Sequence, residues 1–265
     1  MYKECNRLRN NLSLKQNYKI KKMKTGRIIL LMASLVLTIA SCWHDHDYYK
    51  VYGRGDYNTE EREVRTFTQI KSEIVADIHI TQDNRHSVEI SAQENILDVI
   101  ETRVVGRELV IEYSVRRVEH DGVDIYISME TLEEISISGV GNVNNENTIE
   151  TDNLKIEISG VGDVDFSSII ADEIKIESSG TGKVYLEGPA VVGNIDIELS
   201  GVGNVNTVNL EAESVYIHSS GTGNCRVNVI NNLDVDISGL GNVYYTGDPD
   251  ISSHISGFGK IKELE

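Results

Sequence analysis

The sequence predicts an all-β chain, a right-handed parallel β-helix (β-solenoid) with about 20 residues per turn. Three observations carry this reading. Ser-Gly-x-Gly occurs seven times, at 138–141, 159–162, 179–182, 200–203, 220–223, 238–241 and 256–259, and its first glycines lie 21, 20, 21, 20, 18 and 18 residues apart. Each copy follows a segment in which apolar and polar residues alternate, as in Leu154, Ile156 and Ile158 or Ile195, Ile197 and Leu199. The chain holds 22 Gly but only 2 Pro, which suits tight corners between strands and excludes collagen-like and proline-rich linker classes.

A strand of this kind has one apolar face and cannot bury it alone. Stacked copies bury it jointly, with rungs about 4.8 Å apart and like residues in columns. Seven copies have six gaps and therefore span about 29 Å. The right hand follows from the chirality that favours right-handed parallel crossovers. The paired glycines, Gly139 and Gly141, Gly160 and Gly162, Gly180 and Gly182, Gly201 and Gly203, Gly221 and Gly223, Gly239 and Gly241, Gly257 and Gly259, are assigned to the corner. There glycine permits positive φ and a tight turn. The residue x between them is Val, Val, Thr, Val, Thr, Leu and Phe in turn, and its apolar character predicts that it points inward.

Two details refine the repeat. Ser178 and Ser219 replace the third apolar strand residue in alternate copies, each with a threonine at x, Thr181 or Thr222. This predicts a hydrogen-bonded hydroxyl pair inside the coil. Asn142, Asp163, Asn204, Asn224 and Asn242 follow the second glycine and predict a polar column bonded from rung to rung. A calcium ladder there would need several carboxylates, and only one of the five is Asp, with Lys183 and Lys260 in two other copies. Cys225 takes the place of Val205 and is expected to be a buried small hydrophobe, not a reactive thiol.

Before the repeats, residues 61–130 read as strand-rich opening turns or a capping sheet, with a break near Ser72-Glu73 and a short turn or helical step at 95–100. The repeat β-helix proper is placed at 131–265. Its last copy, around Ile251 and Ile255, has lost clean alternation, as terminal repeats do.

The N-terminal segment reads as an address. The run at 28–40 is 13 residues of apolar sequence, too short for a membrane-spanning helix of roughly 20 residues. Lys24 and Arg27 precede it and Ala40 and Ser41 follow it, the layout of a secretory signal peptide at 23–41. Ile39-Ala40-Ser41-Cys42 resembles the lipobox of bacterial lipoproteins, which implies acylation of Cys42 and a membrane anchor. Residues 1–22 read as sequence preceding the true start or as a disordered extension. Residues 42–60 read as a tether. Within it His44-Asp45-His46-Asp47 offers metal-ligand side chains without a fold to close them, and Arg54-Gly55-Asp56 spells an adhesive tripeptide of three common residue types.

Taken together, 61–260 resembles the autotransporter-adhesin head family, also called the GIN domain, whose members are common in Bacteroidota. The resemblance rests on Arg65-Thr66-Phe67-Thr68-Gln69-Ile70, on Val88-Glu89-Ile90 through Asn95-Ile96-Leu97, on Gly106-Arg107-Glu108-Leu109-Val110-Ile111 and on the repeats. It implies a β-helical fold and a role in adhesion, and it carries over no catalytic residues.

Charge narrows the function. Residues 1–41 hold nine Lys or Arg and one Glu, so the remaining 42–265 holds 16 basic and 41 acidic residues, a net −25. A nucleic-acid partner is excluded for want of a basic face. The expectation is a lipid-anchored, non-enzymatic, adhesin-like module of the outer membrane, facing the cell surface or the periplasm. Its partners are the membrane, through Cys42, and a glycan or protein ligand; no cofactor, metal or catalytic residue is assigned. The acidic outward positions Glu157, Asp196, Glu198, Asp234 and Asp236 read as a solvated face. Two alternatives remain: a polysaccharide-active β-helix enzyme using paired carboxylates, and an envelope protein that self-associates through exposed solenoid ends.

Overall fold

A computed structural model describes residues 50–264, which lie in the compact unit Tyr49–Glu265. Cys42, the signal-peptide segment and His44–Asp47 lie outside the described residues. The strands are β1 (Lys50–Tyr52), β2 (Tyr57–Arg62), β3 (Gln69–Ser72), β4 (Asp77–Gln82), β5 (Ser87–Gln93), β6 (Ile100–Val105), β7 (Glu108–Tyr113), β8 (Arg117–Glu119) and β9 (Val123–Met129). They continue as β10 (Glu134–Ile137), β11 (Val143–Asn145), β12 (Ile149–Ile158), β13 (Val164–Phe166), β14 (Ile169–Ser178) and β15 (Thr181–Glu187). The last six are β16 (Val192–Leu199), β17 (Val202–Ser219), β18 (Cys225–Ile237), β19 (Val243–Thr246), β20 (Asp250–Ile255) and β21 (Ile261–Glu263). A single turn of helix, α1 (Glu94–Leu97), falls where the sequence predicts a helical step.

The strands stack in parallel as a β-solenoid. One column, before the glycine corner, runs β7–β3–β10–β12–β14–β16–β17–β18–β20. The other, after it, runs β9–β4–β11–β13–β15–β17–β18–β19–β21. Long β17 and β18 serve both columns, because each follows its coil round from one to the other. Register holds like against like: Ile135, Ile156, Ile176, Ile197, Ile217 and Val235 pair in sequence. These residues form the core, which is aliphatic and continuous along the stack. Phe166 and Phe67, both at most 1% exposed, are its largest side chains.

β3 and β4 start the solenoid, whereas β6 joins β7, and β5 then β2 join β9, in antiparallel fashion. These strands close the N-terminal end of both columns.

The glycines are needed for stacking more than for turning. Among the fourteen motif glycines only Gly141 and Gly223 have positive φ, 148° and 159°, the second at the margin of ordinary extended backbone. The corner amides explain the rest. The N–H of Val161 donates to the Gly139 carbonyl at 3.0 Å, and that of Thr181 to the Gly160 carbonyl at 2.9 Å, and so on up the stack. A Cβ on Gly160, Gly180, Gly201, Gly221, Gly239 or Gly257 would overlap that same carbonyl oxygen of the rung before. Glycine is therefore what lets the corner close its inter-rung hydrogen bonds. The first coil turns the same corner with Glu73-Ile74-Val75-Ala76, since Val75 bridges Val140 and Gly139 stacks on Ile74. Among the described residues no corner bridge lies on the other side of Val75, and Ile74 and Ala76 are accommodated and buried.

Two expectations are corrected. Residue x points outward: Val140, Val161, Val202 and Leu240 are 45%, 50%, 56% and 51% exposed. The period of two runs unbroken through the corner, so Val161 has the parity of outward Ser159 and Asp163, not of inward Ile158 and Val164. For the same reason the hydroxyl pairs do not form. Ser178 and Ser219 are buried while Thr181 and Thr222 face solvent, and the Ser178 Oγ has no hydrogen-bond partner. The two serines instead flank Leu199 in one inward column, Ile158–Ser178–Leu199–Ser219–Ile237, where small residues sit on either side of a large one. Cys225 is buried between Val205 and Val243, and burial pushes its thiol up to about 12.

Candidate functional site: a glycine-floored groove

The outward turn of x builds a surface feature. Exposed Val140, Val161, Thr181 and Val202 make one wall, because strict stacking places them in a column of bridges that begins at Val75 and ends at Phe258. Asp77, after Ala76, and the residues after the second glycine, Asn142, Asp163, Lys183 and Asn204, make the other wall. Between them lie Gly141, Gly162, Gly182 and Gly203, whose backbone forms the floor. The result is a groove of about 610 Å³ running along the stack. His120, Asp121 and Gly122 close its N-terminal end.

The polar wall is held by its own ladder. The Oδ1 of Asp77 accepts the Asn142 N–H at 2.8 Å, Asn142 accepts from Asp163 at 3.2 Å, and Asp163 accepts from Lys183 at 2.7 Å. Lysine has no acceptor and ends that run. A second run begins at Asn204, which accepts the Asn224 N–H at 2.9 Å, and Asn224 accepts from Asn242 at 3.0 Å. The predicted column is thus present, and its oxygens point to backbone amides, not outward to a cation. Among the described residues no group of three or more His, Cys, Asp or Glu is placed to hold a metal.

At the closed end, His120 Nε2 lies 2.7 Å from the Tyr113 hydroxyl, which donates to the Val75 carbonyl at 3.3 Å. Burial lowers the His120 pKa and pushes Tyr113 up to about 12, so both are neutral near pH 7. The chemistry of the groove is then a row of apolar methyls facing a row of amides, carboxylates and one ammonium, Lys183. Such a surface grips a narrow, extended ligand by apolar contact along one side and hydrogen bonds along the other.

The remaining outer faces carry charge in pairs. Lys155 reaches Glu134, Glu157 and Glu177 at 3.3, 3.0 and 3.0 Å, and Lys175 reaches Glu177 and Glu198 at 2.8 and 3.1 Å. Beside them lies a polar cleft of about 720 Å³ lined by Asp152, Glu173 and Asp196 among others. Arg54-Gly55-Asp56 is an exposed turn between β1 and β2, with the Arg54 N–H on the Asn95 side chain at 2.7 Å.

The groove joins residues the sequence had sorted separately, the glycines and the polar column. Val75, Asp77 and the His120–Gly122 wall were not among the expected site residues. Val75-Ala76-Asp77-Ile78 does mirror Val140-Gly141-Asn142-Val143, and alanine in place of the second glycine hides the match. No described helix is long and apolar enough to cross a membrane.

Residues 66–249 match a family described as "Putative auto-transporter adhesin, head GIN domain". Among solved structures, a protein described as a "putative adhesin" from Bacteroides fragilis is similar over 81% of this chain and 100% of its own, at 32% identity and a TM-score of 0.77. A "putative adhesin" from Parabacteroides merdae shares 22% identity over 82% of this chain and 99% of its own, with a TM-score of 0.62. A "putative lipid binding protein" from Parabacteroides distasonis shares 20% identity over 82% of this chain and 100% of its own, with a TM-score of 0.67. These last two show the fold. No curated protein shows significant similarity to the chain.

Proposed function

The chain belongs to the auto-transporter adhesin head (GIN domain) family, and from that premise we propose that it is a lipid-anchored, non-enzymatic module of the outer envelope that holds an extended ligand in its glycine-floored groove. The groove is the observation that carries this reading. It has an apolar wall and a polar wall in fixed register over several rungs, and a rigid β-stack keeps that register at no further ordering cost. A linear glycan or an extended peptide has the matching form, with apolar and hydrogen-bonding groups recurring along its length. The lipobox-like Ile39-Ala40-Ser41-Cys42 supports the anchor, and the family description supports an envelope location.

The test has two arms. Brief protease treatment of intact cells is expected to remove the protein, and Cys42→Ala is expected to abolish labelling by a radioactive fatty acid. Arrays of glycans and matrix proteins are expected to show saturable binding, weakened at least tenfold by Val161→Glu, which places a charge in the apolar wall. Absence of saturable binding, or binding untouched by Val161→Glu, overturns the groove reading. Retained labelling of Cys42→Ala overturns the anchor.

A further inference from the structure

The two ends of the stack differ. The outer strands of the N-terminal cap carry charge, Glu60, Glu61 and Arg62 on β2 and Glu101 and Arg103 on β6. Charged edges resist pairing with another chain. At the other end, among the described residues, β20 pairs only with β18 and β21 only with β19. All of β20 is exposed, including Ile251 at 44% and Ile255 at 41%, and Phe258 beyond it is 85% exposed. Lys260 and Lys262 guard β21. β20 carries a single charge, Asp250 at its start: residues 251–259 contain no Asp, Glu, Lys or Arg, in a chain that is 25% charged.

The register of β20 is self-complementary. Ile251, Ser253 and Ile255 stand over Leu233, Val235 and Ile237, so they face inward, while Asp250, Ser252 and His254 face outward. The inward set reads Ile-Ser-Ile in both directions. We propose that a second copy of this chain occupies this edge, with β20 pairing antiparallel to β20 of that copy about a two-fold axis at Ser253. Residues directly opposite in an antiparallel pair lie on the same face, so this register keeps both inward faces on one core. It sets Ile251 against Ile255 of the second copy, and Ser253 against its own counterpart. Outward, Ser252 meets His254 and Asp250 meets Ser256, so no like charges are opposed. A patch that complements itself is what a closed two-fold dimer requires. The net −25 of residues 42–265 repels like copies, and this uncharged stretch is where two can approach at least electrostatic cost. The groove at 75–204 is left free, so the inference does not rest on its ligand.

Cysteine cross-linking of the full chain in cell membranes tests it. In this register the two Ser253 Cα atoms lie about 4.5–5.5 Å apart, within disulfide reach, whereas the two Ser256 positions lie about 20 Å apart. With a mild added oxidant, Ser253→Cys is expected to give roughly tenfold more disulfide-linked dimer than Ser256→Cys or the parent chain. Sedimentation of the detergent-solubilised full chain is expected to show a monomer–dimer equilibrium that Ile251→Lys with Ile255→Lys abolishes, with an unchanged far-ultraviolet circular dichroism spectrum. Equal cross-linking of Ser253→Cys and Ser256→Cys, or a parent chain that stays monomeric at all concentrations, overturns the proposal.

Discussion

The Oδ1 of Asp163 accepts the backbone N–H of Lys183, one rung along the stack, at 2.7 Å. The same relationship recurs at Asn204 and Asn224, and it fails after Lys183 because an ammonium cannot accept. The ladder is therefore a periodic device interrupted at Lys183. Asn224→Ala removes an acceptor for the Asn242 N–H and a donor to Asn204, and is expected to cost about 1–2 kcal/mol. Lys183→Asn restores an acceptor beneath Asn204 and is expected to add about 0.5–1 kcal/mol. Urea unfolding of the two variants decides the matter. If neither midpoint moves, the ladder contributes nothing to stability.

Glycine tolerance should follow rung stacking. Gly180 sits where a Cβ would overlap the Gly160 carbonyl oxygen, an oxygen already bonded to the Thr181 N–H. Gly180→Ala must push two rungs apart or break that bond, at an expected cost above about 4 kcal/mol. Gly193 offers a contrast, since its nearest neighbour to an added Cβ is the Asp172 carbonyl at 3.2 Å. Gly193→Ala is expected to lie within about 1 kcal/mol of the parent, as alanine also restricts the unfolded chain. Equal effects at the two sites would remove the steric account of the motif.

Much of this was legible because a parallel stack repeats its own evidence. Leu154, Ile156 and Ile158 alternate as Ile195, Ile197 and Leu199 do, so the inward set is read several times over. The glycine spacing then gives the length of a coil. What was misread was the corner. Val161 looks like a core residue by composition, yet its parity is that of Asp163, and parity decides direction in an extended chain. The groove was hidden for this reason, since one of its walls was assigned to the interior. The first coil was hidden because Ile74 and Ala76 stand where the later corners have glycine. The self-complementary edge of β20 could not be seen until pairing showed which of Ile251, Ser252 and Ser253 face inward.

The buried Ser178 hydroxyl has no hydrogen-bond partner, although its neighbours in the column, Ile158 and Leu199, are aliphatic. A buried hydroxyl without a partner loses its hydration and gains nothing in return. Ser178→Ala is expected to stabilise the protein by about 1 kcal/mol, because alanine keeps the small volume beside Leu199 and removes the orphaned oxygen. Ser178→Leu would overfill the column and is expected to cost about 1–3 kcal/mol. Thermal unfolding of both variants checks the pair; a destabilised Ser178→Ala would mean that the hydroxyl has a partner.

The acidic face should respond to pH through Lys155. Burial opposes its charge, but hydrogen bonds to Glu177, Glu157 and Glu134 outweigh this and hold its pKa above the usual lysine value of 10.5. Glu177 is held below the usual 4.5 by hydrogen bonds from Lys175 and Lys155. A raised lysine contributes stability that is complete below 10.5 and lost as pH rises through its folded value. A lowered carboxylate contributes stability that is complete above 4.5 and lost as pH falls through its folded value. The cluster is therefore fully effective between about 4.5 and 10.5. Lys155→Met leaves Glu134, Glu157 and Glu177 facing one another without their shared cation. The variant is expected to unfold a few degrees below the parent near pH 7, and the gap is expected to close as the carboxylates protonate in acid. Salt should narrow the gap as well, since these side chains are about one-third exposed. Paired Tm measurements across that range check the sign. A gap that persists unchanged at pH 2 would assign the effect of Lys155 to packing of its aliphatic stem instead of its charge.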